Sequence, residues 1–192
     1  MISNLLIILI VLVLLFFTAL LILGFIFLLS GLISTIFGAP YVPLSRKYIF
    51  KILSFGDLSP DNILYDLGCG DGRVLMSGLS NFNVLKAVGY EISPWSYFKT
   101  LLSIKQNKIK RIELFRRNCL KAEISKATFI YLYLFPKLVD KIAYKIAREG
   151  KPKTKILCVL FPIDLSQHIE FKLLKSAKLD RLTAYLYELK TP

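Results

Sequence analysis

The sequence predicts an α/β fold: a largely parallel sheet with helices on both faces, preceded by one N-terminal transmembrane helix. Three observations carry this prediction. No Lys, Arg, Asp, Glu or His occurs before Arg46, and Leu5 to Leu29 is apolar apart from Thr18 and Gly24. The stretch Asn62-Ile-Leu-Tyr-Asp-Leu-Gly-Cys-Gly-Asp-Gly-Arg73 passes from a short apolar run through glycines into a segment with helical spacing. Beyond it, strand-like and helix-like segments alternate, the pattern of parallel strands joined by crossover helices.

As a helix, Leu5 to Leu29 would extend about 37 Å against a hydrocarbon core of about 30 Å, one crossing with tilt to spare. The run is longer than a signal peptide's apolar region and no basic segment precedes it, so a permanent anchor is expected. Arg46, Lys47 and Lys51 follow on one side only. The positive-inside rule places residues 46 onward in the cytoplasm, at the cell membrane if the source is prokaryotic. The expected organisation is an anchor over 1–38, a connector with an amphipathic helix over 39–56, and one domain over 57–192. Ser30/Ser34, Gly31/Thr35 and Ser34/Gly38 lie four apart, on a face that could admit another membrane helix. Small residues are also simply common in membrane helices.

In chain order, Ala39-Pro-Tyr-Val-Pro43 stops the first helix and reads as an extended connector. From Leu44 to Phe55, Ile49, Ile52 and Leu53 have the spacing of a helix lying on a domain. Gly56 to Asp61 is a turn, and Ile63-Leu64-Tyr65 a buried strand. Lys86 to Glu91 reads as the second strand, and Ser93-Pro94 opens a helix through about Gln106. Lys110–Phe115, Thr128–Leu134 and Lys155–Phe161 follow as strands, with a helix from Pro136 to Arg148 before the last. Ile169–Leu174 and Thr183–Leu189 form a closing antiparallel pair.

The glycine spacing restricts the ligand. A strand–glycine turn–helix unit brings backbone N–H groups to the carboxyl edge of a sheet. The dinucleotide pattern G-x-G-x-x-G needs a third glycine where Arg73 stands, and the Gly-Lys-Ser/Thr of a P-loop is absent. What remains is D-x-G-x-G-x-G, similar to motif I of the class I S-adenosylmethionine (SAM) methyltransferases. SAM carries a sulfonium and an ammonium and no phosphate, so an acid at the strand end, Asp66, suits it. Glu91, ending the next strand, has the position from which a carboxylate accepts both ribose hydroxyls. The competing reading is a Rossmann-like domain for another nucleoside, or for none.

The net charge of +13 lies wholly in the soluble part, densest at Lys105, Lys108, Lys110, Arg111, Arg116 and Arg117. With a tether, such a surface is drawn to anionic headgroups; no nucleic-acid motif accompanies it, so no nucleic-acid partner is expected. Cys69, Cys119 and Cys158 have neither disulfide nor zinc spacing, and no metal site is expected. His168, the single histidine, has no partner that would make it a ligand or a base, and reads as structural or surface.

The chain resembles the membrane-anchored lysine methyltransferases related to those acting on the ATP synthase c subunit and the adenine nucleotide translocase. The resemblance rests on the order of Pro40-Tyr-Val-Pro43, the glycine loop, Gly89-Tyr-Glu-Ile-Ser-Pro-Trp95 and Leu134-Phe-Pro136. It implies a seven-stranded Rossmann-like SAM-methyltransferase sheet. Asp66 with Gly68, Cys69, Gly70 and Gly72 would hold the methionine end of SAM, Glu91 the ribose, and Asn118 the adenine amino group in place of the usual acid. The family's threonine after P-Y-V-P is replaced by Leu44-Ser45. Tyr41, Phe135 and Pro136 are the substrate-proximal candidates; Tyr133 reads as packing, and no general base stands out. The expected activity is methylation of a lysine on a membrane protein. A lipid or other hydrophobic acceptor, and a non-catalytic SAM- or nucleoside-binding module, are the alternatives.

Overall fold

A computed structural model describes residues 2–36 and 44–191. The connector from 39 to 43, Tyr41 included, lies outside the described residues, as does Gly38.

Helix α1 spans Ile2–Ile36 and is uniformly apolar around its circumference. Its segment Asn4–Leu32 is long and apolar enough to cross a membrane. Along this segment only Ser30 is buried in protein. Helix α2 (Arg46–Phe55) starts at Ser45, whose hydroxyl accepts from the Tyr48 N–H, and buries Ile49, Ile52 and Leu53, as their spacing predicts.

The core is one seven-stranded sheet of β1 (Ile63–Leu67), β2 (Lys86–Glu91), β3 (Ile112–Arg116), β4 (Phe129–Leu132), β5 (Lys155–Val159), β6 (Phe171–Leu179) and β7 (Leu182–Leu189). Their order is β3-β2-β1-β4-β5-β7-β6. The first five strands are parallel, and β7 pairs antiparallel with both β5 and β6. Helices α3 (Arg73–Phe82), α4 (Pro94–Gln106) and α5 (Pro136–Glu149) connect them. The α2 and α3 residues pack on one face of the sheet with Leu64, Phe129 and Leu157. The other face packs α5 against Tyr65, Ile130 and Ile156.

Several strands depart from their expected bounds, β6 running over Phe171–Leu179 rather than Ile169–Leu174. β3 begins at Ile112 because Lys108 takes a left-handed turn and the Arg111 guanidinium binds the Val84 carbonyl. β4 begins after Thr128, whose hydroxyl accepts the Ile63 N–H at 2.8 Å. β5 ends before Leu160, which has φ +73. The strand order reverses between β1 and β4, the switch point where open α/β sheets bind ligands at their carboxyl edge.

Candidate active site

A cavity sits at that switch point. Its inner wall is made by Asp66, Gly68, Cys69, Gly70, Asp71, Tyr90, Glu91, Asn118 and Tyr131. Leu44, Phe135, Leu160 and Phe161 supply a more exposed apolar side, with the Phe135 and Phe161 rings 6.1 Å apart.

The glycine loop is a turn held by the end of β2 and by one bond of its own backbone. Gly68 and Cys69 both donate to the Tyr90 carbonyl, at 2.9 and 3.0 Å, and Gly72 donates to the Cys69 carbonyl at 2.8 Å. Gly70 donates to Glu91 Oε2 at 2.8 Å. The expectation of bare N–H groups presented to a ligand is therefore corrected at these positions, because Gly68, Cys69 and Gly70 donate to the end of β2 and Gly72 donates within the loop. Gly68, Gly70 and Gly72 all have positive φ. A Cβ on Gly72 would also stand 2.6 Å from Thr100 Cγ2. Gly72 thus serves the loop from behind and does not line the cavity.

The cavity lining carries three carboxylates, Asp66, Asp71 and Glu91, together with the cations Arg73 and Arg117. Glu91 is 8% exposed, and its Oε1 accepts from the Ser93 N–H at 2.7 Å. Burial raises its pKa, and the backbone N–H bonds from Ser93 and Gly70 partly offset that rise. Asp66 is 3% exposed, and burial, then the charges of Glu91 and Asp71, push its carboxyl well above the ordinary range. A carboxylate so placed favours a cationic ligand, since a positive charge restores the stability that burial removes. Asp71 itself receives Arg73 Nε at 2.7 Å, and the same guanidinium donates to the Leu44 carbonyl at 2.8 Å. Arg73 thereby ties the first described residue after the connector to the glycine loop.

Asn118 lines the cavity, but its side-chain oxygen caps a short 3-10 turn by accepting the Leu120 N–H at 2.9 Å. One acceptor lone pair remains for a ligand. Phe135 lines the cavity; Pro136 does not, being the exposed first residue of α5. Tyr133 lines the cavity as well as packing on the core.

Sequence reasoning missed Tyr131. It pairs in register with Asp66 across β4 and β1, so the two share a face. Its hydroxyl is buried and makes no hydrogen bond among the described residues, and burial followed by the Asp66 charge raises its pKa strongly. A tyrosine inside a four-residue strand that is otherwise aliphatic and phenylalanine was the available signal, because a buried hydroxyl needs a partner.

One other expectation changes. Ser93 stands at the N-cap of α4 but its side chain makes no cap bond. Ser30 of α1 accepts the Trp95 N–H at 3.1 Å instead, and the Phe27 ring meets Trp95 edge-on at 6.3 Å. Ser30 therefore packs within its own chain rather than presenting a face to a second membrane helix. His168 is buried and structural: its Nε2 lies 2.7 Å from Asp140 Oδ1, pinning the loop before β6 to α5. All three cysteines are buried and free.

The family model of the ANTKMT methyltransferase domain matches residues 66–170. A protein-lysine N-methyltransferase of Saccharolobus islandicus (strain REY15A) is 35% identical over 125 residues, covering 65% of this chain and 78% of that protein. An RNA methyltransferase from Salinibacter ruber, solved in complex with S-adenosyl-L-homocysteine, superposes with a TM-score of 0.72. It is 24% identical and covers 79% of this chain and 95% of its own. The putative methyltransferase yhhF of Escherichia coli has a TM-score of 0.67 at 12% identity, covering 80% and 90%. At these identities the structural likeness shows the fold.

Proposed function

Because the chain belongs to the ANTKMT methyltransferase-domain family, we propose that it methylates a lysine of a membrane-borne protein while α1 holds it at the bilayer. It is a SAM-dependent methyltransferase, and the lysine, the membrane and the residue roles are the proposal. One observation supports the cofactor assignment above the others: Asp66 and Glu91, at the ends of adjacent strands, line one cavity beside the glycine loop. The buried carboxyls of Asp66 and Glu91 suit the ammonium of SAM and its ribose hydroxyls.

Bound SAM supplies an electrophilic methyl group on sulfonium. In this assignment Asp66 faces the methionine ammonium. Glu91, oriented by Gly70 and Ser93, keeps lone pairs for the ribose hydroxyls. The Tyr90 ring, stacked on Tyr65 and Phe115, stiffens the adenosine side.

On the acceptor side, Leu44, Phe135, Leu160 and Phe161 form a mouth suited to the methylene stem of lysine. Desolvation between these side chains lowers the amine's pKa and favours the neutral nucleophile. Tyr131 and Tyr133 offer hydroxyls along the wall to orient the amine. Positioning a neutral amine about 3 Å from the methyl carbon is most of what the reaction asks of the protein.

The test is methylation with radiolabelled SAM in membranes from cells lacking and expressing the full chain. Label on a protein lysine, lost in Asp66→Asn, is expected. Label only in the lipid extract would overturn the lysine reading and favour a lipid acceptor.

A further inference from the structure

The only fully buried residues of helix α4 are polar, and two of its large apolar residues are exposed. Its buried residues are Ser96 and Thr100, while Phe98 is 56% exposed and Leu102 44% exposed. A helix on a soluble domain normally turns its apolar stripe to the core. Here the inner face serves the cofactor cavity instead: Thr100 Oγ1 donates to the Gly70 carbonyl at 2.8 Å, and Ser96 lines the cavity. Tyr97, Leu101 and Ile104 are half-buried, with Ile104 on the core, while Phe98 and Leu102 are left on the outside.

That outer stripe runs through Trp95, Phe98, Lys99, Leu102 and Lys105, positions that share a face by helical periodicity. It begins where the apolar helix α1 touches the domain, since Trp95 is the residue that meets Ser30 and Phe27. The contact lies in the last turn of the span Asn4–Leu32, the level at which a spanning helix leaves hydrocarbon. No Asp or Glu occurs between Glu91 and Glu113, while Lys99, Lys105, Lys108, Lys110 and Arg111 do. Aromatic and aliphatic side chains flanked by lysines, and continuous with a membrane helix, fit the interface of an anionic bilayer.

We propose that the outer face of α4 is a second membrane contact, seated in the headgroup layer beside the anchor. The inference rests on α1 being a membrane anchor. Its consequence is orientation: two contacts prevent the domain from swivelling about α1. The cavity bordered by Glu91 and Ser96, at the same end of α4, is then held near the bilayer surface.

The chain contains one tryptophan, Trp95, which makes single-tryptophan probes direct. Leu102→Trp, Leu21→Trp and Tyr144→Trp, each combined with Trp95→Phe, would be made in the full chain. They would be reconstituted into phosphatidylcholine–phosphatidylglycerol vesicles with brominated acyl chains. Leu21 lies in α1, and Tyr144 is an exposed residue of α5 on the opposite side of the sheet from α4. Severalfold quenching at positions 21 and 102, with shelter from acrylamide at 102 and none at 144, is expected. Quenching at 21 alone overturns the α4 contact and leaves the anchor standing. Shelter at 102 without quenching by brominated lipid overturns it too, assigning the face to a protein. Equal quenching at 144 and 102 overturns it as an effect of the probe. No quenching at 21 removes the anchor and the inference together.

Discussion

Glu91→Gln keeps the size of the side chain and removes its charge. Each Glu91 oxygen receives one backbone N–H, from Ser93 at 2.7 Å and Gly70 at 2.8 Å. The amide can accept one of these and turns an NH2 toward the other. A hydrogen bond to a charged group contributes about 1.5–3 kcal/mol. The ribose loses the same charged acceptor, so SAM affinity should fall about 10- to 150-fold. Folding stability should fall less, because removing a buried charge also relieves the desolvation that raises the Glu91 pKa. Calorimetric titration with S-adenosyl-L-homocysteine, which cannot turn over, measures the affinity on the solubilised full chain, and thermal melts measure the stability. A folded Glu91→Gln protein binding within about twofold of the parent would refute the ribose assignment.

The Asp66 carboxyl titrates above its ordinary 3.8, first from burial and then from Glu91 and Asp71. The folded protein therefore binds a proton that the unfolded chain has released, so ligand-free stability should decline as pH rises from that value through the raised one. A cationic ligand reverses the preference, so SAM binding should release a proton and tighten with pH over the same window. Asp66→Asn should remove that release, counted by calorimetry in buffers of different ionisation enthalpy; undiminished release would assign it elsewhere, Glu91 first. Tyr131→Phe deletes a buried, unpaired hydroxyl, so stability should hold or rise by up to about 1 kcal/mol while kcat/KM falls; melts and steady-state kinetics check both, and an unchanged kcat/KM would take the hydroxyl out of the reaction. Ser30→Ala removes the side-chain acceptor at the start of α4 and should cost about 1 kcal/mol locally, read as faster hydrogen exchange at the Trp95 amide; unchanged exchange would mean the cap is not used.

Some of this protein is determined by its sequence alone, because the determining signal lies within a short window. The uncharged run before Arg46 makes an apolar helix whatever follows it. Ile49, Ile52 and Leu53 settle which face of α2 is buried. Two acids ending consecutive strands, with three glycines after the first, mark the cavity wall because β1 and β2 pair side by side. Other features depend on which segments the sheet order brings together. Tyr131 stands beside Asp66 only because β4 pairs with β1 in that register. Asn118 divides its oxygen between the cavity and Leu120, and Pro136 is carried clear of the cavity as the start of α5. Ser30 reaches Trp95 across 65 positions of sequence. The outward apolar face of α4 arises because Ser96 and Thr100 turn inward to the cofactor loop. Local periodicity reports how a segment is shaped. Which polar atoms must find partners, and where, is decided only when distant segments close on one another and exclude water.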